Sequence, residues 1–255
     1  MTNRSALLVH GLGSAAGTWW RFEEELQAMG WSVAAPDLRG HGAGTRGGAS
    51  RHDDYADDVL ALRPASGPWD VVVGHSLGGA IAVRAAARDT SWARQLVLID
   101  PVLRLDEGVR ADTRRQELIA LESSLEQVVA EQPHWDARDH AERFVGLQAA
   151  DPAAVAATFD DNDPWDRLAD VAALRAPTLI IAGDPKVFTV FGPSIAREVL
   201  GANSRVRYET VAGAGHSPHR DCPGATSALL REWVDNLATS GASARRRRTG
   251  EHFEE

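Results

Sequence analysis

Short, unbroken apolar runs recur along this chain, and between them lie longer stretches in which apolar residues return every three or four positions. Ala6 to Val9, Trp31 to Ala35, Asp70 to Val73, Gln95 to Ile99, Thr178 to Ala182 and Arg205 to Thr210 have the length and β-branched content of strands. Thr18 to Met29, Tyr55 to Leu62, Leu77 to Arg88 and Pro223 to Leu237 have helical spacing, and Gly30 stops the first of these. Leu77 to Arg88 is rich in small residues, as suits a helix packed tightly on a sheet. Strand then helix in this rhythm implies a mostly parallel sheet of about six strands, covered on both faces and linked by right-handed crossovers.

One region breaks the rhythm. From Leu103 to Ala169 there is no convincing strand, only helical stretches at Asp112 to Glu131, Ala137 to Ala149 and Pro152 to Phe159. The division expected is a core of residues 1–102 and 170–239 with a helical lid, 103–169, inserted between the fourth and fifth strands. Residues 240–255 carry Arg245 to Arg248 followed by acidic residues and read as a solvated, disordered tail.

Composition narrows the function classes. A chain of 255 residues, 44% hydrophobic, suits one large α/β domain with a sizeable core. A formal net charge of -9 leaves no electrostatic footprint for nucleic acid. The lone cysteine, Cys222, permits no internal disulfide, which fits a reducing, cytoplasmic setting. Between Asp221 and Pro223 it has no activating neighbour and reads as a bystander. No zinc-ligand spacing, signal-peptide pattern or membrane-length apolar run is present, so neither a metal nor a membrane partner is expected.

Chemistry concentrates at three strand ends. Gly74-His75-Ser76-Leu77-Gly78 follows directly on Val71-Val72-Val73 and fits G-x-S-x-G at a strand-to-helix junction. A sharp turn there lifts the serine to the carboxyl edge of a sheet, with a helix N-terminus behind it to meet a developing oxyanion. His10-Gly11-Leu12-Gly13 closes the first strand, where glycines free a backbone N–H to point at the same place. Gly213-Ala214-Gly215-His216 follows the last strand and offers the base that a serine hydroxyl needs at neutral pH.

These pieces, with Pro36-Asp37-Leu38-Arg39-Gly40-His41-Gly42 and Pro177 to Gly183, resemble the α/β-hydrolase superfamily over nearly the whole chain. The resemblance implies an α/β-hydrolase fold, Ser76 as nucleophile, His216 as base, and oxyanion-hole N–H groups from Leu12 and Leu77. The acid is less settled. Relatives often carry it in G-x-x-D, but Gly183-Asp184-Pro185-Lys186 puts lysine there and leaves Asp184 two residues short. Asp100, after the strand beside the serine's own and stiffened by Pro101, is the preferred partner of His216, with Asp184 the alternative.

Other candidates have secondary roles. His75 reads as a packing or supporting residue, His41 as a structural histidine bonded to backbone, and His219 as exposed loop, with substrate contact the alternative. Of eight tryptophans, Trp19 near the oxyanion loop and Trp135 and Trp165 in the lid are candidates to line an apolar substrate pocket. The leading expectation is cofactor-free hydrolysis of a small carboxylic ester, lactone or thioester with an apolar part. Carbon–carbon bond hydrolysis, perhydrolysis and lyase chemistry use the same residues, and a non-catalytic binding or receptor role on this fold is the alternative of another class. Ser76, in place of aspartate, argues against haloalkane dehalogenase and epoxide hydrolase chemistry. Oligomeric state is left open.

Overall fold

The computed structural model of the chain describes residues 4–235. Its strands are β1 (Ser5–Val9), β2 (Ser32–Ala34), β3 (Val71–His75), β4 (Leu96–Ile99), β5 (Arg104–Leu105), β6 (Trp165–Asp166), β7 (Thr178–Ala182) and β8 (Val206–Thr210). Six of them form one parallel sheet in the order β2-β1-β3-β4-β7-β8. The helices are α1 (Trp20–Ala28), α2 (His52–Ala61), α3 (Leu77–Arg88), α4 (Glu107–Ala120), α5 (Leu125–Glu131), α6 (Ala137–Ala149), α7 (Pro152–Asp160), α8 (Leu168–Ala173), α9 (Pro193–Ala202), α10 (Pro218–Asp221) and α11, helical over 223–235.

The apolar runs are continuous because the sheet is buried on both faces. Along each central strand, alternate residues enter different cores. Leu7, Val9, Val72, Leu96, Leu98 and Ile180 pack with Tyr55 and Val59 of α2 and Ile81 of α3. Ala6, Leu8, Val71, Val73, Val97, Ile99 and Ile181 pack with Phe22 and Leu26 of α1 and with Leu230 and Val234 of α11. Burying each such side chain contributes roughly 1.5–3 kcal/mol relative to exposure. The small residues of α3 let it approach the sheet closely: a Cβ at Gly78 would overlap the carbonyl oxygens of Val9 and His10.

Several expectations are corrected. The helix read over Asp112 to Glu131 is two, α4 and α5. Ser124 starts the second by accepting from the Gln127 N–H, while the Gln127 side chain returns to the Ser124 N–H. The segment read as strandless contains β5 and β6, which pair antiparallel and bring its two ends together. Helices α8 and α9 were not read from the spacing. The tail expected at 240–255 lies outside the described residues, as do the last two residues of the helix expected to end at Leu237. No described helix is long and apolar enough to cross a membrane.

Candidate active site

The parallel sheet carries every strand's carboxyl end to one edge, and strand order decides which loops meet there. Because β1 pairs with β3 and β3 with β4, the loops after these three strands are neighbours. Gly11 lies hard against the turn after β3: a Cβ on it would stand 3.0 Å from both His75 Nδ1 and Ser76 Cβ.

Ser76 sits in that turn with φ 54° and ψ -119°, a left-handed conformation that costs a non-glycine residue roughly 1–3 kcal/mol. The surroundings hold it. Its N–H donates to Ile99 O at 3.0 Å, and its carbonyl accepts from Gly79 and Val102 N–H groups. The strain aims the hydroxyl out from the sheet edge. Leu77, next in the chain, is the first residue of α3, so its N–H has no intrahelical acceptor and joins the positive end of the helix dipole beside Ser76.

His216 Nε2 stands 3.0 Å from Ser76 Oγ, and its Nδ1 stands 2.7 Å from Asp100 Oδ2. A carboxylate only accepts, so Nδ1 carries the proton and Nε2 presents a lone pair to the hydroxyl. Asp100 is fully buried and, like Ser76, has a positive φ of 38°. Its Oδ2 also accepts from Val190 N–H at 3.0 Å, and its Oδ1 from the Thr189 hydroxyl and the Phe191 N–H. These donors fix the carboxylate's orientation. Asp184 is elsewhere: its oxygens accept from the Lys186 and Gly213 N–H groups at 2.9 and 3.0 Å, capping the turn after β7. Those two bonds lower the Asp184 carboxyl from its ordinary value. The structure thus brings Ser76, His216 and Asp100 together and leaves Asp184 out.

A second tier of imidazoles shapes the backbone. His75 Nε2 donates to His216 O at 2.9 Å and braces the loop that carries His216. His41 donates from Nδ1 to Arg39 O and accepts at Nε2 from Gly13 N–H, tying the loop after β1 in place. His10 donates to Gly11 O and accepts from Leu38 N–H. Burial lowers His75 and His219 well below the ordinary histidine range and His10 to about 3, so all three stay neutral.

Two cavities meet at Ser76 and His216. One, of about 350 Å³, mixes charged side chains, among them Glu117, Glu131, Arg143, Arg220 and Asp221, with apolar ones such as Val128, Leu147 and Trp135, and is the more polar of the two. The other, of about 520 Å³, is largely apolar, with Leu77, Val102, Leu105, Phe159, Trp165 and Val190. Leu12 and the exposed Phe188 border both. Residues of the 103–169 segment line both. Trp135 Nε1 donates to Asp221 and Trp165 Nε1 to Val102 O.

Trp19 is a correction. It is buried between Phe22 and the His219 ring, in the core beneath the sheet edge, and lines neither cavity. Sequence reasoning missed Arg143, Arg220 and Asp221. The signal available was position: Arg220 and Asp221 follow His216 within five residues on one short, proline-started turn.

The chain matches the model of the alpha/beta hydrolase family over residues 6–229. It is 31% identical over 159 residues to the lipase LipV of Mycobacterium tuberculosis, a match that covers 61% of this chain and 56% of the lipase. It is 27% identical over 251 residues to the esterase Rv0045c of the same organism, covering 90% of this chain and 82% of the esterase. A solved thermophilic esterase from Thermogutta terrifontis superposes with a TM-score of 0.73 at 25% identity, covering 92% of this chain and 91% of its own. Sheet order, the turn at Ser76 and the family match over most of its length agree: the chain belongs to the alpha/beta hydrolase family.

Proposed function

We propose that the protein is a serine hydrolase that cleaves a small carboxylic ester, lactone or thioester through an acyl-enzyme. The observation that carries this reading is the unbroken chain from Ser76 Oγ through His216 to Asp100, with contacts of 3.0 and 2.7 Å. Ser76 attacks the carbonyl carbon as His216 Nε2 takes its proton. Asp100 holds the imidazole in the right tautomer and steadies the imidazolium that forms. The Leu12 and Leu77 N–H groups receive the oxyanion, where one donor is typically worth 10²–10³ in rate. His216 then returns the proton to the leaving group, and water repeats the sequence to free the acid.

Similarity to a lipase and an esterase supports acyl-ester chemistry. The insertion, 103–169, acts as a lid that excludes water and shapes both cavities. The apolar cavity, with Trp165, takes the hydrocarbon part of the substrate, and Trp135 walls the polar one. Turnover of a panel of p-nitrophenyl esters, lactones and acyl thioesters tests the reading. At least one class should be cleaved by the parent, and Ser76→Ala should lose several orders of magnitude in kcat on it. Ser76→Ala activity within tenfold of the parent refutes the proposal.

A further inference from the structure

Arg220 is a buried cation with no described carboxylate within ion-pair distance, the nearest being Asp139, Asp221 and Glu142. It is 5% exposed, its Nε is sealed from solvent with no hydrogen-bond partner, and its guanidinium makes no ion pair with any described residue. The Trp135 ring lies against it, its centroid 5.0 Å from the guanidinium carbon. A buried charge in this state is costly unless something pairs with it.

The carboxylates nearest Arg220 are already engaged. Asp139 accepts from Trp20 Nε1 at 2.9 Å and pairs with Arg21 at 3.0 Å. Asp221 accepts from Gly215 N–H at 2.7 Å on one oxygen, and from Trp135 and His134 on the other. Glu142 faces Arg138. Arg220 lines the polar cavity that opens on Ser76. Arg143 lines the same cavity, donating to Gly13 O at 2.8 Å, and makes no ion pair with a described residue. Glu117 and Glu131 line it on the Arg143 side.

We propose that the limb of the substrate entering this cavity carries a carboxylate, which pairs with Arg220 while Arg143 adds positive potential beside it. A planar guanidinium matches a carboxylate in two parallel hydrogen bonds, and Trp135 keeps the guanidinium plane in place. The substrate is then an ester, lactone or thioester with an anionic limb in the polar cavity and an apolar limb in the other. This inference rests on the hydrolase reading above, and the test separates the two.

The test compares monomethyl adipate with methyl hexanoate, esters of equal acyl length that differ in one terminal carboxylate. The ratio of their kcat/KM values should exceed ten in the parent. It should fall at least tenfold in Arg220→Gln, recover in part in Arg220→Lys, and fall in Arg143→Gln. A parent ratio near or below one, or a ratio unchanged in both glutamine variants, overturns the inference. If Arg220→Gln does not fold, as circular dichroism would show, the parent ratio and Arg143→Gln decide by the same criteria. If the parent cleaves neither ester, calorimetry with Ser76→Ala decides without chemistry. Saturable binding of monomethyl adipate, absent for methyl hexanoate, lost on adding Arg220→Gln or Arg143→Gln and kept in part on adding Arg220→Lys, upholds the carboxylate site, whereas no binding overturns it.

Discussion

Replacing Asp100 by asparagine should abolish most turnover while leaving the fold, and the hydrogen bonds around it say why. Asparagine keeps one acceptor oxygen and gains an NH₂ group. The Oδ1 side faces the Thr189 hydroxyl and the Phe191 N–H, so the new carbonyl oxygen settles there. The NH₂ group then faces His216 Nδ1 and the Val190 N–H, where Oδ2 stood at 2.7 and 3.0 Å. Facing a donor, Nδ1 becomes the acceptor and the ring proton moves to Nε2, which can no longer take a proton from Ser76. The same exchange in a serine protease costs about 10⁴ in kcat, or about 5.5 kcal/mol of transition-state stabilisation. Leaving the Val190 N–H against a donor should cost roughly 1–3 kcal/mol of stability. Asp184→Asn keeps one acceptor for an exposed turn and should alter kcat by no more than a few-fold. Steady-state kinetics on the best ester, with circular dichroism to confirm folding, gives the comparison. Asp100→Asn within tenfold of the parent, or an equal loss at Asp184→Asn, would refute the assignment.

Stability should fall as pH drops below about 6.5. Burial lowers His10 and His52 to about 3 each, so the unfolded chain takes up protons that the folded one refuses. By pH 5.5 the two together should remove roughly 2–3 kcal/mol, read as a lower urea midpoint that His52→Gln partly relieves; a midpoint flat from pH 7 to 5.5 contradicts this. Gly78→Ala should destabilise by roughly 1–3 kcal/mol or more, because its methyl meets backbone oxygens that cannot give way, and an unchanged melting temperature would show that α3 sits farther from β1. Asp221→Ala cuts the tie between Gly215 and the His134–Trp135 turn. It should speed proteolysis within 121–136 and lower kcat; a digestion pattern identical to the parent's argues against that tie.

How far the sequence could be read follows from what each signal depends on. The four central strands were legible because burial on both faces leaves an unbroken apolar run. The β5–β6 pair was not, since two-residue strands some sixty positions apart are joined by the insertion's closure and not by local propensity. The break between α4 and α5 was readable in Ser124-x-x-Gln127 but hidden by an apolar spacing that continues through it. Ser76 and His216 stood out because glycine-flanked strand ends serve few other purposes. Asp100 and Asp184 both end strands at the same edge, and only the fold of the 184–191 loop, which wraps three donors onto Asp100, separates them. Trp19 shows the converse limit: a tryptophan beside a functional loop can face either the cavity or the core, and spacing does not say which.

The central claim is that Ser76 is a nucleophile activated by His216. The direct measurement is reaction with a fluorophosphonate, followed by peptide mass spectrometry of the intact and variant proteins. The account predicts a single adduct on the peptide containing Ser76, absent in Ser76→Ala and slowed by at least a hundredfold in folded His216→Gln. No adduct under conditions that label a known serine esterase, or an adduct that survives Ser76→Ala, would contradict it.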